Sequence, residues 1–124
     1  MQKFKIYNND LRTFNEFCKS RGDKAEDNIR RAIIAALDDE VMFEEIDKEE
    51  AVPFKKVSDK EAKKVCVGID KELRSEFHKL TTHHHETVVA WVRKYVRRMN
   101  RLYEKKKAEQ AKERASMEDK LWKL

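Results

Sequence analysis

The sequence predicts a mainly helical protein in which a strand-helix-helix unit occurs twice and a long charged helix follows. Two observations lead to this fold class. In residues 3–6 and 65–69 apolar residues alternate with other residue types, and in the segments that follow they recur every three or four positions. Such a change of period marks a strand followed by an amphipathic helix. Only two glycines and one proline occur among 124 residues, 43% of which are charged, and this composition favours helices over tight turns.

The apolar positions define the predicted core. They are Phe4, Ile6, Leu11, Phe14, Phe17, Ile29, Ala32, Ile33 and Leu37 in the first unit and Val65, Val67, Ile69, Leu73, Phe77, Leu80, Val88, Trp91, Val92 and Val96 in the second. One strand and two helices of this size bury too little surface to be stable alone, so the two units must pack together. Trp91 and Tyr95 lie on the apolar side of the last helix, where we expect them to be buried.

The chain divides into four segments. The first unit spans residues 1–37, an acidic connector 38–62, the second unit 63–100, and a charged helical extension 101–124. Pro53 marks the boundary between the units because it interrupts any continuous helix. We expect the apolar residues of the connector to pack on the core as a short helical turn; they are Val41, Met42, Phe43 and Ile46. As an alternative, the acids of the connector cover a basic surface when nucleic acid is absent.

Local signals predict where the helices begin and end. Asn9 or Asp10 is expected to cap the first helix, and Asp70 the first helix of the second unit. Gly22 is expected to end the first helix in the left-handed conformation. The apolar pattern after Val88 predicts a helix that continues well past Arg101.

Charge is distributed unevenly along the chain, although the net charge is only +5. Residues 1–37 carry eight basic and five acidic residues, and residues 63–107 carry thirteen and five. Residues 38–51, in contrast, carry one lysine and eight acids. A basic second unit beside an acidic connector predicts a polyanionic partner that docks on one side.

The second unit resembles the ribbon-helix-helix DNA-binding proteins, a family typified by Arc and by the methionine and plasmid copy-number repressors. The likeness lies in the segments KKVCVGIDKELRSEFHKL and ETVVAWVRKYVRRM, with Asp70 before the first helix. In the first unit, DNIRRAIIAAL after KSRGDKAE is similar to the second helix of the family through Ala32 and Ile33. The resemblance covers residues 2–37 and 63–99, and two units in one chain are similar to the tandem arrangement of the relaxosome protein TraY.

This resemblance implies a two-stranded antiparallel ribbon that enters the major groove of DNA. That groove is about 12 Å wide and presents a distinct hydrogen-bonding pattern for each base pair. Strand alternation then assigns the outward residues, from which base contacts are expected: Lys3, Lys5, Lys64, Cys66 and Gly68. A solvated strand edge is the alternative for the lysines. We expect Lys3 and Lys5 to read more sequence than Lys64, since the second strand presents a single long polar side chain.

In the family, the amino end of the second helix binds phosphate, because unpaired amides and the helix dipole favour an anion there. In this chain, Arg21, Lys24, Thr82, His83 and His84 match that position. Two arginines of the last helix, Arg93 and Arg97, are further candidates for phosphate contact. A solvated helix face is the alternative for the arginines. Thr82 or Thr87 is expected to cap the last helix, whose register is left open because the spacing after Leu80 differs from the spacing after Phe17.

Neither catalysis nor a cofactor is expected. The sequence has no glycine-rich phosphate loop, nucleophile elbow, or acid and base paired in a predicted cleft. Three adjacent histidines, residues 83–85, cannot all reach one ion from a regular element, so we expect no metal site. Cys18 and Cys66 are too far apart for a metal or redox motif, and we expect both thiols to be reduced, with Cys18 in the core.

We therefore expect a sequence-specific double-stranded DNA-binding protein of phage or plasmid origin, which represses transcription by occupying a promoter. One alternative is an architectural or relaxosome accessory DNA-binding protein. Another is a helical protein-interaction module, such as an antitoxin or phage adaptor, that binds a protein partner through its C-terminal helix. The sequence leaves open whether two strands of one chain pair or two chains form a homodimer. Lacking any apolar stretch of signal or membrane-span length, the chain is expected in the prokaryotic cytoplasm or nucleoid.

Overall fold

Two strands and five helices make up residues 2–53 and 60–123, the part of the chain that the computed structural model describes. In chain order they are β1 (Gln2–Tyr7), α1 (Asn8–Ser20), α2 (Ala25–Asp38), α3 (Glu40–Asp47), β2 (Ala62–Val67), α4 (Lys71–His83) and α5 (Val88–Trp122). The mainly helical class is confirmed, and α3 separates the first three elements from β2. Residues 54–59 of the predicted connector lie outside the described residues.

The strands β1 and β2 pair antiparallel, with Lys3 opposite Cys66 and Lys5 opposite Lys64. This confirms the two-stranded antiparallel sheet. The predicted position of the second strand was wrong by two or three residues at each end. β2 begins at Ala62 and ends at Val67, so Gly68 follows the strand instead of lying within it.

One hydrophobic core contains residues from both halves of the chain. Trp91 lies at its centre, with its ring parallel to those of Phe43 and Tyr95 at centroid distances of 5.6 and 5.9 Å. The edge of Phe77 contacts the same indole at 5.0 Å, and Nε1 of Trp91 donates a hydrogen bond to the Phe43 carbonyl oxygen at 3.3 Å. The predicted burial of Trp91 and Tyr95 is confirmed, with exposed fractions of 0% and 6%.

The first helix of each half ends in the same hydrogen-bonded turn. After α1, Gly22 has φ 67° and donates its N–H to Lys19, while the N–H of Asp23 reaches Cys18. After α4, His85 has φ 57° and donates to Thr82, while Glu86 reaches Thr81. Both turns are Schellman motifs, in which one left-handed residue ends the helix. The prediction for Gly22 is confirmed.

Of the capping residues predicted for the first helix of each unit, the one for α4 was correct and those for α1 were wrong. The Asp70 carboxylate accepts a hydrogen bond from the Leu73 amide at 2.8 Å, so Asp70 caps α4 as expected. Asn9 and Asp10 do not cap α1, because this helix already begins at Asn8, directly after β1. The side chain of Asn8 instead donates to the Lys60 carbonyl oxygen at 2.6 Å, and its backbone N–H donates to Glu61.

The two helix pairs are spaced alike. The first residues of α1 and α4 are 63 positions apart, as are the first residues of α2 and α5. Thr87 caps α5 by accepting a hydrogen bond from the Ala90 amide, whereas Thr82 lies within α4. Of the two capping residues that the sequence left open, Thr87 is therefore the one that caps the last helix.

The acidic connector folds onto the core through α3, as expected. Phe43 and Ile46 are buried and Met42 is half-buried against the core, but Val41 is 64% exposed, contrary to its prediction. In the described part of the chain, none of the helices is both long enough and apolar enough to cross a membrane.

Replacing Trp91 with alanine tests the importance of the aromatic core. We expect Trp91→Ala to lower the free energy of unfolding by about 3 kcal/mol or more, because it leaves a large cavity beneath α3. Trp122→Ala is the matched control, since Trp122 is 89% exposed, and it should leave the stability almost unchanged. Denaturant unfolding of the two variants checks this, and equal losses would contradict the central place of Trp91.

Candidate nucleic-acid interface

The outward face of the ribbon carries four of the five predicted base-contacting residues. Lys3 and Cys66 lie opposite each other and are exposed; Lys5, half-buried, lies opposite the exposed Lys64. Alternation places all four on the side away from the buried Phe4. Like charges directly opposite each other in a sheet repel, so an anion near Lys5 and Lys64 would stabilise this face.

Arg93 fixes α5 against the ribbon. Its Nε donates a hydrogen bond to the Lys5 carbonyl oxygen at 2.9 Å, and its guanidinium is half-buried. Burial lowers the pKa of Arg93, although the nearby Tyr7 acts in the opposite direction. Arg93, predicted to contact phosphate, therefore also positions the backbone of β1.

Arg30 is a candidate that the sequence analysis missed. It is the sixth residue of α2, as Arg93 is the sixth residue of α5. Its guanidinium pairs with Asp27 at 3.1 Å and lies beside the end of β2, where one of its nitrogens would be 3.9 Å from a Cβ built on Gly68. The offset of 63 positions, which relates Arg30 to Arg93, is the sequence signal that could have revealed it.

The amino end of α2 combines basic and acidic groups. Lys24 immediately precedes this helix and is exposed, and the guanidinium of the exposed Arg21 lies 5.4 Å from the centre of the Phe17 ring. Asp23 lies between them and accepts hydrogen bonds from the Lys24 amide, Asn28 and Arg31. Burial would raise the pKa of Asp23, but these contacts outweigh it and lower the pKa. A negative charge at this position opposes phosphate binding.

The amino end of α5 is better suited to an anion. The first turn of α5, which lies wholly in the described part of the chain, contains no acidic residue. Glu86 precedes α5 as Asp23 precedes α2, but it pairs with Lys94 at 2.6 Å. Because α2 also carries Glu26 and Asp27 in its first turn, an approaching phosphate meets less negative charge at the amino end of α5, where the helix has partial positive charge.

Three predicted phosphate ligands lie elsewhere than expected. Thr82 and His83 form the end of α4, and His84 follows it. Their predicted position at the amino end of the last helix was wrong because the chain makes a Schellman turn before α5 begins. The carboxyl end of a helix carries partial negative charge, which removes the physical reason for expecting phosphate there.

Much of the positive charge of α5 is paired with acidic side chains. Arg97 contacts Asp10 at 3.0 Å, and both Arg98 and Arg101 contact Glu49 of the connector, at 3.0 and 2.9 Å. The hydrogen bond from Arg101 and the two guanidinium charges lower the pKa of Glu49. A phosphate that bound Arg97 would have to compete with Asp10.

One cluster in the described residues could hold a metal ion. The ligand atoms of Glu40, Glu44 and His84 lie within 4.8 Å of one another, and both glutamates are exposed. The imidazole of His84 also packs on the Phe43 ring at 4.9 Å and lies 3.3 Å from a Glu40 oxygen. The adjacent His83 and His85 are not in this cluster.

Comparison with known proteins gave no match to a protein-family model, a curated protein or a solved structure. The ribbon-helix-helix resemblance thus remains a prediction from the residues quoted above.

The turn before α5 predicts a specific loss of stability in acid. Glu86 accepts hydrogen bonds from Lys94 at 2.6 Å and from the Thr87 amide at 3.0 Å. Burial would raise the pKa of Glu86, but these contacts outweigh it and lower the pKa below the ordinary 4.5. The stabilisation is therefore present above pH 4.5 and is lost as the pH falls through the lower pKa of the folded state.

We expect Glu86→Gln to reduce the loss of unfolding free energy between about pH 6 and about pH 3. Denaturant titrations at several pH values measure this slope. Glu109→Gln, at an exposed position of α5, is the control and should keep the wild-type slope. An unchanged slope in Glu86→Gln would show that the contact with Lys94 contributes little.

Proposed function

We propose that this chain is a tandem ribbon-helix-helix protein that binds double-stranded DNA sequence-specifically and represses transcription. The observation that carries the proposal is the two-stranded antiparallel ribbon with Lys3, Lys5 and Lys64 on its outward face. Paired strands lie about 4.8 Å apart, so a ribbon with its side chains matches a major groove about 12 Å wide. Lysine ammonium groups can donate to guanine O6 and N7.

The strand register supports a pseudo-twofold module formed by one chain. Lys3 and Cys66 are paired in the ribbon and are 63 positions apart, the same offset that separates the two helix pairs. A twofold axis through this residue pair is the symmetry that the proposal assigns to the two halves of the chain. Contacts cross between the halves, since α1 packs on α5 and α2 on α4.

This approximate symmetry has a consequence for the DNA site. Operator symmetry mirrors protein symmetry, and the paired positions differ in residue type, with lysine at position 3 and cysteine at position 66. The preferred site is therefore an imperfect palindrome. Lys5 and its counterpart Gly68 differ in the same way, so the β1 side of the ribbon reads more bases.

Phosphate contacts complete the proposed binding mode. The amino end of α5 and the residues Arg30 and Arg93 beside the ribbon are suited to bind the DNA backbone on either side of the groove. Each neutralised phosphate steepens the fall of affinity with salt. Occupation of a promoter by the bound protein would exclude polymerase.

Selection from a random duplex library at about 150 mM salt tests the proposal, because selectivity depends on ionic strength. We expect an enriched, imperfectly palindromic motif. Retention of DNA without a motif would favour an architectural or relaxosome accessory role, and a lack of retention would overturn DNA binding.

Combined Lys3→Ala and Lys5→Ala substitutions should cost about 1–3 kcal/mol of discrimination for each lost base contact, and Lys64→Ala less. If the Lys64→Ala variant lost as much sequence discrimination as the Lys3→Ala and Lys5→Ala variant, the proposal that β1 reads more bases than β2 would be contradicted.

Alkylation of Cys66 gives a second test, located at the centre of the ribbon. Cys66 is exposed, whereas Cys18 is buried and burial raises its pKa to about 11. In the folded protein we expect iodoacetamide to modify Cys66 first, because thiolate is the reactive form. Bound DNA should slow this reaction, and the alkylated protein should lose affinity. Mass spectrometry measures the rate.

Cys66→Ser is the control for the alkylation experiment. Serine is close to cysteine in size and can both donate and accept a hydrogen bond, so this variant should retain most of its DNA affinity and keep it after iodoacetamide treatment. If saturating DNA leaves the rate at Cys66 unchanged, the outward face of the ribbon does not contact DNA.

A further inference from the structure

The C-terminal part of α5 presents apolar side chains to solvent. Residues 104–123 are all exposed, and Met117, Leu121 and Trp122 are 65%, 68% and 89% exposed. Most exposed apolar residues are isolated and need no explanation. Here three of them lie within two helical turns at the end of a 35-residue helix, among the charged residues Glu118, Asp119 and Lys120.

A groove of complementary character lies nearer the middle of the same helix. It has a volume of about 550 Å³ and runs between the end of α1 and α5. Phe17 and Tyr103, whose rings are 5.6 Å apart, line it together with Met99 and Leu102. The basic side chains that line it are Arg21, Lys106 and Lys107, and Lys107 also pairs with Glu16 at 3.6 Å. The groove thus combines an apolar surface with a positively charged rim.

We propose that this groove binds the C-terminal end of α5, residues 117–121, from a second copy of the chain. Met117 and Leu121 of the second copy would cover the apolar surface, and its Glu118 would face the basic rim. The charges therefore match as well as the apolar groups, which is the usual arrangement at a specific interface.

The occupant cannot be the end of the same chain. Lys106 and Glu118 belong to one continuous helix and are 12 residues apart, which corresponds to about 18 Å. A second copy running antiparallel places its residues 117–121 beside residues 103–107 of the first. The same contact then occurs twice around a twofold axis near residue 112, so the assembly closes as a dimer.

The helical spacing agrees with this pairing. One side of α5 carries residues at intervals of three, four and seven positions: Tyr103, Lys106, Gln110, Met117 and Leu121. Lys112 lies on the opposite side, away from the proposed partner. The proposal does not depend on DNA binding, because the groove and the C-terminal end are separate from the ribbon.

Sedimentation equilibrium of the full chain without DNA tests the proposal. We expect a reversible monomer–dimer equilibrium, and Met117→Ala with Leu121→Ala should raise the dimer Kd at least about tenfold. Both side chains are exposed in the single chain, so the fold should persist, which circular dichroism checks. A monomer at every concentration would overturn the proposal and leave this end for a different protein. A dimer insensitive to the double substitution, or a larger assembly, would also overturn it.

Charge reversal distinguishes direct pairing from a general effect of charge. Lys106→Glu and Glu118→Lys should each weaken the dimer, and the two together should restore it, since the residues meet only between copies. Lys112→Glu is the matched control and should leave the Kd unchanged. Failure of the double reversal to restore association would refute the antiparallel arrangement.

Discussion

The pairing of β1 with β2 is the interaction on which the rest of the structure depends. A two-stranded ribbon has little stability of its own in water, and this one is held by the burial of Phe4, Ile6, Val65 and Val67 beneath the helices. Those helices come from both halves of the chain. Neither half could bury its apolar residues without the other, and the same pairing leaves the lysines of both strands on a single outward face.

The connector has a larger role than that of a linker. Phe43 stacks on Trp91 at the centre of the core, while Asp47 and Glu49 pair with basic residues of α5. Much of the positive charge that composition assigns to the second half is therefore balanced within the molecule. The strands β1 and β2, in contrast, carry Lys3, Lys5, Lys63 and Lys64 and contain no acidic residue.

Sequence predictions succeeded where the structure depends on local patterns and failed where it depends on contacts between residues distant in the chain. Alternation and helical spacing, which are local, predicted the sheet, the helices and the burial of Trp91. The start of α1 was missed because Asn8 is held by the distant Lys60 and Glu61, contacts that no local pattern reveals. The second Schellman turn was missed because His85, not glycine, adopts the left-handed conformation there. That turn places Thr82 and His83 in α4 and sets the start of α5.

Because β1 and β2 are far apart along the chain, β1 is synthesised well before the strand with which it pairs. About 60 residues are made after β1 before β2 is complete. At about 5–20 residues per second, this takes several seconds. During that time the strand has no partner to cover its edge, and the apolar faces of α1 and α2 lack α4 and α5. An unpaired strand can pair with other chains, so the nascent chain is most vulnerable to aggregation before its second half emerges.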